Sequence, residues 1–218
     1  MKSGLSVRNL TVSYPGPPLR TAVQATSFEI AEGDSLALVG PSGSGKSSML
    51  LALAGVIESR GEVWWGNERL DGLPVHKRGI GVVFQDGQLF PHMSVAQNVA
   101  FGLQMQGASR ATQARRTAEL LDLVGLPGTQ MRSVAQLSGG ERQRIALART
   151  LAPSPRLILL DEPLSSLDTE LRERLAVDIR CVLEDVGATW IIVTHDRAEA
   201  SAMANGSATM VDGLLTIA

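Results

Sequence analysis

The run Gly40-Pro41-Ser42-Gly43-Ser44-Gly45-Lys46-Ser47 fits G-x-x-x-x-G-K-[ST] and is followed by Ser48. The chemistry that needs this spacing is phosphate binding. Glycines let consecutive backbone N–H groups converge on an anion, and a helix starting at the lysine adds the positive end of its dipole. Lys46 is set to reach the β- and γ-phosphates of a nucleotide, and the Ser47 hydroxyl to ligate Mg2+. Asp161 closes the apolar run Leu157-Ile158-Leu159-Leu160. Its carboxylate therefore stands at a strand tip, where it can hold Mg2+ through water. Glu162 comes next and can act as general base on a water attacking the γ-phosphate. Farther along, Leu137 to Arg144 read LSGGERQR, a phosphate seat without a lysine. Ser138 and Glu141 have the spacing of a capping box. Gly139 and Gly140 then sit at a helix start, whose first N–H groups have no partner within the helix and can receive an anion.

These groups need elements to hold them. Leu36 to Val39 runs into the glycine loop, and Ile80 to Phe84 stops at Gln85. Leu157 to Leu160 stops at Asp161, and Trp190 to Val193 stops just before His195. Short continuous apolar runs suit strands of a parallel sheet buried on both faces. Open α/β sheets bind their ligands at the ends of such strands. From about 86 to 154 the pattern turns helical: Ser94 and Gln97 form a second capping-box pair, and a helix after Ser109 shows Ala118, Leu121 and Val124 on one face before Gly125. The first thirty residues and GEVWWGNERL alternate like antiparallel strands, Tyr14 to Leu19 reads as a loop, and Glu58, Arg60 and Glu62 read as solvated loop charge. The expected fold is α/β: a phosphate-loop core with a mostly parallel sheet, an N-terminal antiparallel β subdomain and a helical subdomain inserted at about 86–154. All of it belongs to a single domain, 1–218.

Composition narrows the function. With 44% hydrophobic residues among 218, the chain can bury a sizeable core. A formal net charge of −2 gives no basic excess to neutralise a nucleic-acid backbone. The lone Cys181 cannot form an intrachain disulfide, which favours the cytosol; on its helix it reads as a small core residue. The N-terminus has no signal-peptide core. The longest apolar run, Met49 to Ile57, falls short of the roughly 18 residues of a membrane span.

The phosphate loop, Gln85, LSGGERQR, LILLDEP, Ser165-Ser166-Leu167-Asp168 and His195 follow the order of the ATP-binding subunits of ABC transporters, which the chain resembles from about residue 7 to 213. That resemblance implies ATP as the nucleotide, with Mg2+, and hydrolysis coupled to transport across a membrane. It implies that two chains pair head to tail, each ATP lying between Lys46 of one and Ser138 of the other. Gln85 then contacts Mg2+ and the attacking water, His195 bridges the γ-phosphate and Glu162, and Asp168 couples the two ATP sites. Asp168 is also suited to be the N-cap of the helix starting at Thr169. Tyr14, the only tyrosine, resembles the aromatic that stacks on adenine; its alternative is an ordinary edge-strand aromatic. His76 and His92 lack such context. RSVAQ lacks the proline common before the signature, and ANGS replaces a frequent acidic-arginine pair; neither touches a site position.

Val83 to Leu103, VFQDGQLFPHMSVAQNVAFGL, is similar to importer ATPases for iron(III), polyamines, thiamine, sulfate and molybdate. In those, this surface docks on the membrane subunit, and Leu89, Phe90 and Met93 would supply an apolar patch for it. The resemblance thus implies transmembrane permease subunits and a solute-binding protein as partners, no nucleic acid, and a cytoplasmic place on the inner face of the cell membrane. The alternatives are an exporter or lipid-extraction ATPase, and a soluble ABC ATPase acting on DNA or ribosomes. Many such importer ATPases carry a C-terminal regulatory β domain; with Ala218 as the last residue, that domain is expected to be absent.

Overall fold

A computed structural model describes residues 4–18, 20–85, 87–165 and 167–217. Leu19, Asp86, Ser166 and Ala218, each within a segment read above, lie outside the described residues. Two sheets carry the molecule. The first is antiparallel, in the order β2 (Arg20–Ala31), β1 (Gly4–Tyr14), β4 (Arg60–Trp65), β5 (Glu68–Arg69). The second runs β10 (Leu214–Ile217), β9 (Gly206–Val211), β3 (Ser35–Val39), β8 (Trp190–Thr194), β7 (Leu157–Asp161), β6 (Ile80–Val83). It is parallel from β9 to β6, and only β10 turns back antiparallel, on β9.

Side chains alternate across a strand, and here the alternation sorts the molecule into two cores. Leu36, Leu38, Leu157, Leu159, Ile191 and Val193 face one side, where they meet Met49, Leu50 and Leu53 of α1 (Lys46–Ala54) and Leu5, Val7 and Val63 of the antiparallel sheet. Ala37, Ile158, Leu160, Trp190 and Ile192 face the other, against α5 (Thr169–Asp185) and α6 (Arg197–Met203). Each fully buried Leu or Ile contributes about 1.5–3 kcal/mol through this burial. The Trp190 indole N–H also donates to the Met203 carbonyl at 2.7 Å, tying β8 to the end of α6.

Between β6 and β7 the chain forms α2 (Val95–Met105), α3 (Arg110–Leu123) and α4 (Gly139–Leu151). Their apolar faces, including Val95, Val99, Leu120, Leu121 and Ile145, share the second core. Ser94 caps α2 and Ser138 caps α4, both with reciprocal capping boxes. Three sequence readings need correction. The buried face of α3 and its C-cap is Thr117, Leu120, Leu121 and Val124; Leu121 and Val124 lie inward as expected, but Ala118 is only half-buried and Thr117 takes its place. This i, i+3, i+4, i+7 set is what a 3.6-residue period produces once Thr117 takes the inward position. Cys181 is exposed on α5, because Ile179, Val182 and Leu183 occupy the inward positions around it. Arg60 and Glu62 lie on β4 rather than in a loop, and Glu62 accepts a hydrogen bond from the Trp64 indole at 3.1 Å.

Candidate functional site

The registers bring the tips of four strands to one edge. Val39 pairs with Thr194, Val193 with Asp161, and Leu160 with Val83. Gly40, His195, Glu162 and Gln85 therefore leave the sheet side by side.

The phosphate loop spans the gap from β3 to α1. Gly43 and Gly45 have φ of 80° and 105°, in the left-handed region that favours glycine. At Gly45 a Cβ would also strike the Ala22 carbonyl oxygen, and at Gly40 the Met210 carbonyl oxygen. Two of the glycines are thus required by close approach of the antiparallel sheet and of β9. Lys46 is 4% exposed, and its Nζ donates to the Gly40 and Pro41 carbonyls at 2.8 and 2.9 Å. Burial holds its pKa below the ordinary lysine value, with the Glu162 and Asp161 carboxylates opposing the shift. The Ser47 hydroxyl donates to Asp161 Oδ1 at 2.8 Å. Burial also raises the Asp161 pKa, an effect that the Ser47 bond opposes. This all-oxygen pair beside a half-buried carboxyl fits Mg2+, a hard cation that takes few protein ligands when phosphates complete its shell.

Glu162 has φ 46°. That left-handed turn, fixed by its N–H donating to the Val193 carbonyl at 3.0 Å, swings the side chain off the strand line toward His195. His195 Nδ1 lies 3.2 Å from Glu162 Oε2. The His195 side chain is 52% exposed. The Tyr14 and Ser48 hydroxyls share a hydrogen bond at 3.0 Å, which sets the 39% exposed tyrosine against the loop's rim. Gln85 is exposed, just past β6.

The signature forms a second cluster. Ser138 Oγ accepts from Glu141 N at 3.2 Å, and Ser138 N donates to Glu141 Oε2 at 2.7 Å. A Cβ at Gly139 or Gly140 would come within 3.0 Å of Leu167 or Leu175, so these glycines also serve packing on the Asp168 loop and α5. Asp168 is the N-cap of α5, accepting from Leu171 N at 3.0 Å. No hydrogen bond or ion pair among the described residues joins Ser138, Gly139 or Gly140 to the phosphate loop.

Four supporting residues escaped the sequence reading. Arg132 donates to Glu141 Oε1 at 2.8 Å and to the Gln136 carbonyl at 2.7 Å. The Arg132 hydrogen bond is the main reason the Glu141 pKa falls to about 2. Arg172 donates to the Leu167 carbonyl at 2.9 Å and stands 3.5 Å from Asp196 Oδ2, bracing the Asp168 loop against the His195 loop. Glu199 is 6% exposed and accepts from Thr194 Oγ1 at 2.6 Å. Arg149 grips the segment after Gln85 through the carbonyls of Gly87 and Gln88. Of the partners named, only Glu141 had been read in the sequence, through its capping-box spacing. The four residues themselves bond to backbone carbonyls or to side chains on a neighbouring element, which leaves no mark in residue type.

Residues 23–165 match the profile of the family described as ABC transporter. The Fe(3+) ions import ATP-binding protein FbpC of Streptomyces avermitilis is 52% identical over 202 residues, covering 92% of this chain and 58% of that protein. The spermidine/putrescine import ATP-binding protein PotA of Pseudomonas fluorescens is 46% identical over 211 residues, covering 96% and 58%. Among solved structures, the dimeric post-hydrolysis state of the ATP-binding cassette MJ0796 bound to ADP and Pi superposes with a TM-score of 0.84 at 30% identity, covering 98% of both chains. The chain thus spans less than two thirds of the length of the curated relatives it matches.

Proposed function

The chain belongs to the ABC transporter family, and from that premise we propose that it binds and hydrolyses ATP to drive solute import through separate membrane-spanning subunits. The observation that carries this reading is one strand edge holding the Lys46 loop, the Ser47–Asp161 pair and the Glu162–His195 pair together. The import direction rests on the likeness to import ATP-binding proteins, and the exporter reading has no comparable support.

In this reading, the loop from Gly40 to Ser48 takes the phosphates, and Lys46 exchanges its carbonyl partners for β- and γ-oxygens. Tyr14 stacks on adenine. Ser47, Asp161 and Gln85 would hold Mg2+, which screens charge on the β- and γ-phosphates. Glu162 takes a proton from a water as the water oxygen bonds to the γ-phosphorus. The bond to the bridging oxygen breaks, giving ADP and phosphate. His195 keeps Glu162 oriented through Nδ1 and offers Nε2 to the γ-phosphate. A second copy supplies Ser138, Gly139 and Gly140 to complete the site, with Asp168 beside the junction. Permease subunits, and a solute-binding protein outside the membrane, complete the system. No described helix is long and apolar enough to cross a membrane, which fits a peripheral place on the inner face of the cell membrane.

Phosphate release by purified Glu162→Gln tests this. The substitution should leave ATP binding intact and slow hydrolysis by about 100-fold or more, the usual contribution of a general base. Hydrolysis at the wild-type rate would remove Glu162 from the mechanism.

A further inference from the structure

The segment that leaves β6 is gripped from one side by a single helix. Gln143 of α4 donates from Nε2 to the Gln85 carbonyl at 2.6 Å. Six residues on, Arg149 donates to the Gly87 and Gln88 carbonyls at 3.0 and 2.9 Å. Its guanidinium also lies 5.2 Å over the Phe90 ring, which in turn packs on Phe101 at 4.7 Å. The grip holds an unfavourable backbone at Gln88, whose φ is 40°, just after Gly87 at φ 69°, which glycine adopts freely. For Gln88 that conformation is strained, and it persists only where the surroundings enforce it. The grip also has costs. Burial depresses the Arg149 pKa, and Gln143, 3% exposed, keeps its amide Oε1 buried without a partner among the described residues. A buried orphan of this kind in a native protein calls for a reason.

We propose that Arg149 and Gln143 are positioning residues that fasten the Gln85 segment to the signature helix, so that Gln85 and Phe90 move with Ser138 as one body. Ser138 caps α4 at one end, and Arg149 stands about 16 Å along its axis at 1.5 Å per residue. A displacement at the phosphate-sensing end therefore reaches the Gln85 segment through a rigid helix and three side-chain-to-carbonyl bonds. The acceptors are main-chain atoms, so the grip fixes the path of the segment and not its side-chain identity. A planar fork serves two carbonyls at once, which a lysine ammonium does not do in the same geometry.

This inference rests on the ATPase reading for its catalytic half, and the test separates the two. Arg149→Gln, Arg149→Lys and Gln143→Ala are compared with wild type in steady-state hydrolysis, binding of a fluorescent ATP analogue, and amide hydrogen exchange. In Arg149→Gln, exchange across residues 87–93 should quicken by about tenfold or more, as expected when a local opening loses its main restraint. Exchange elsewhere should stay at the wild-type rate. kcat should fall on the order of 10- to 100-fold through misplacement of Gln85, while KM and analogue binding stay within about twofold, because the phosphate loop does not touch Arg149. Arg149→Lys should fall between the two, and Gln143→Ala should repeat the kcat loss. Uniformly faster exchange, or an Arg149→Gln kcat within about twofold of wild type, would overturn the proposal. If wild type itself hydrolyses no ATP, the ATPase reading fails, while the exchange comparison still decides whether Arg149 fastens the segment.

Discussion

Glu141 shows how much of this site is held by bonds within the protein. Its two oxygens are divided, one on the Ser138 N–H and one on Arg132. The pair with Arg132 is partly exposed, at 36% and 21% for the two side chains, so solvent screening limits it to about 0.5–1 kcal/mol. The folded pKa, about 2, lies below the reference value of 4.5. A depressed carboxyl pKa means stability that is complete above the unfolded value and lost as pH falls through the folded one. Glu141→Gln keeps an oxygen for the Ser138 N–H and removes the charge. It should melt about 2 °C lower at pH 7, with the deficit shrinking below about pH 4.5 in a series of thermal melts. A deficit independent of pH would assign the loss to capping geometry alone. Arg132, the other half of the pair, was illegible in the sequence, because nothing in its local pattern says that it turns back on the helix that follows.

Strands announced themselves through their apolar runs, and so did the polar residues at their ends, because burial on both faces forbids alternation. What stayed hidden was the inward side of the short helices. In α6, Arg197-Ala198-Glu199-Ala200 shows no apolar stripe, and glutamate is almost never fully buried unless paired. Yet Glu199 shares the buried face with Ala200 and Met203. Its Oε1 has no partner among the described residues, and burial raises its pKa, with the Thr194 bond and the Arg172 and His195 charges opposing and Asp196 adding to the rise. The sign is opposite to that of Glu141. A folded pKa above the unfolded one gives stability present below about pH 4.5 and lost as pH rises through the folded value. Glu199→Gln is free of that loss. It should gain on wild type by about 1 kcal/mol between pH 4.5 and pH 8, measured by urea denaturation across the range. A constant offset between the two proteins would mean that Glu199 stays ionised and satisfied in the fold.

Within one chain the phosphate loop and the signature form separate clusters, each well supported by its own bonds. Lys46, Ser47, Asp161, Glu162 and His195 gather at one strand edge, while Ser138 offers a helix start whose first N–H groups have no helical partner. Both clusters were legible in the sequence, but the expectation that they meet across two chains came only from the family resemblance, because no local pattern encodes a neighbour. Packing supports a built surface and not an accident: Gly139 and Gly140 let α4 close on Leu167 and Leu175, which sets Ser138 beside the Asp168 loop. If two copies complete each other, ATP should be the glue. In a Glu162→Gln background, Mg-ATP should shift the mass measured by light scattering from 23.1 kDa to double that value. Adding Ser138→Arg puts a bulky side chain where the phosphate would sit. It should abolish the shift while leaving ATP-analogue binding to the single chain within about twofold, because the phosphate loop holds most of the contacts. A dimer that survives Ser138→Arg would mean that the chains pair through some other surface. A Glu162→Gln chain that binds ATP and stays monomeric would place the second half-site on a different partner.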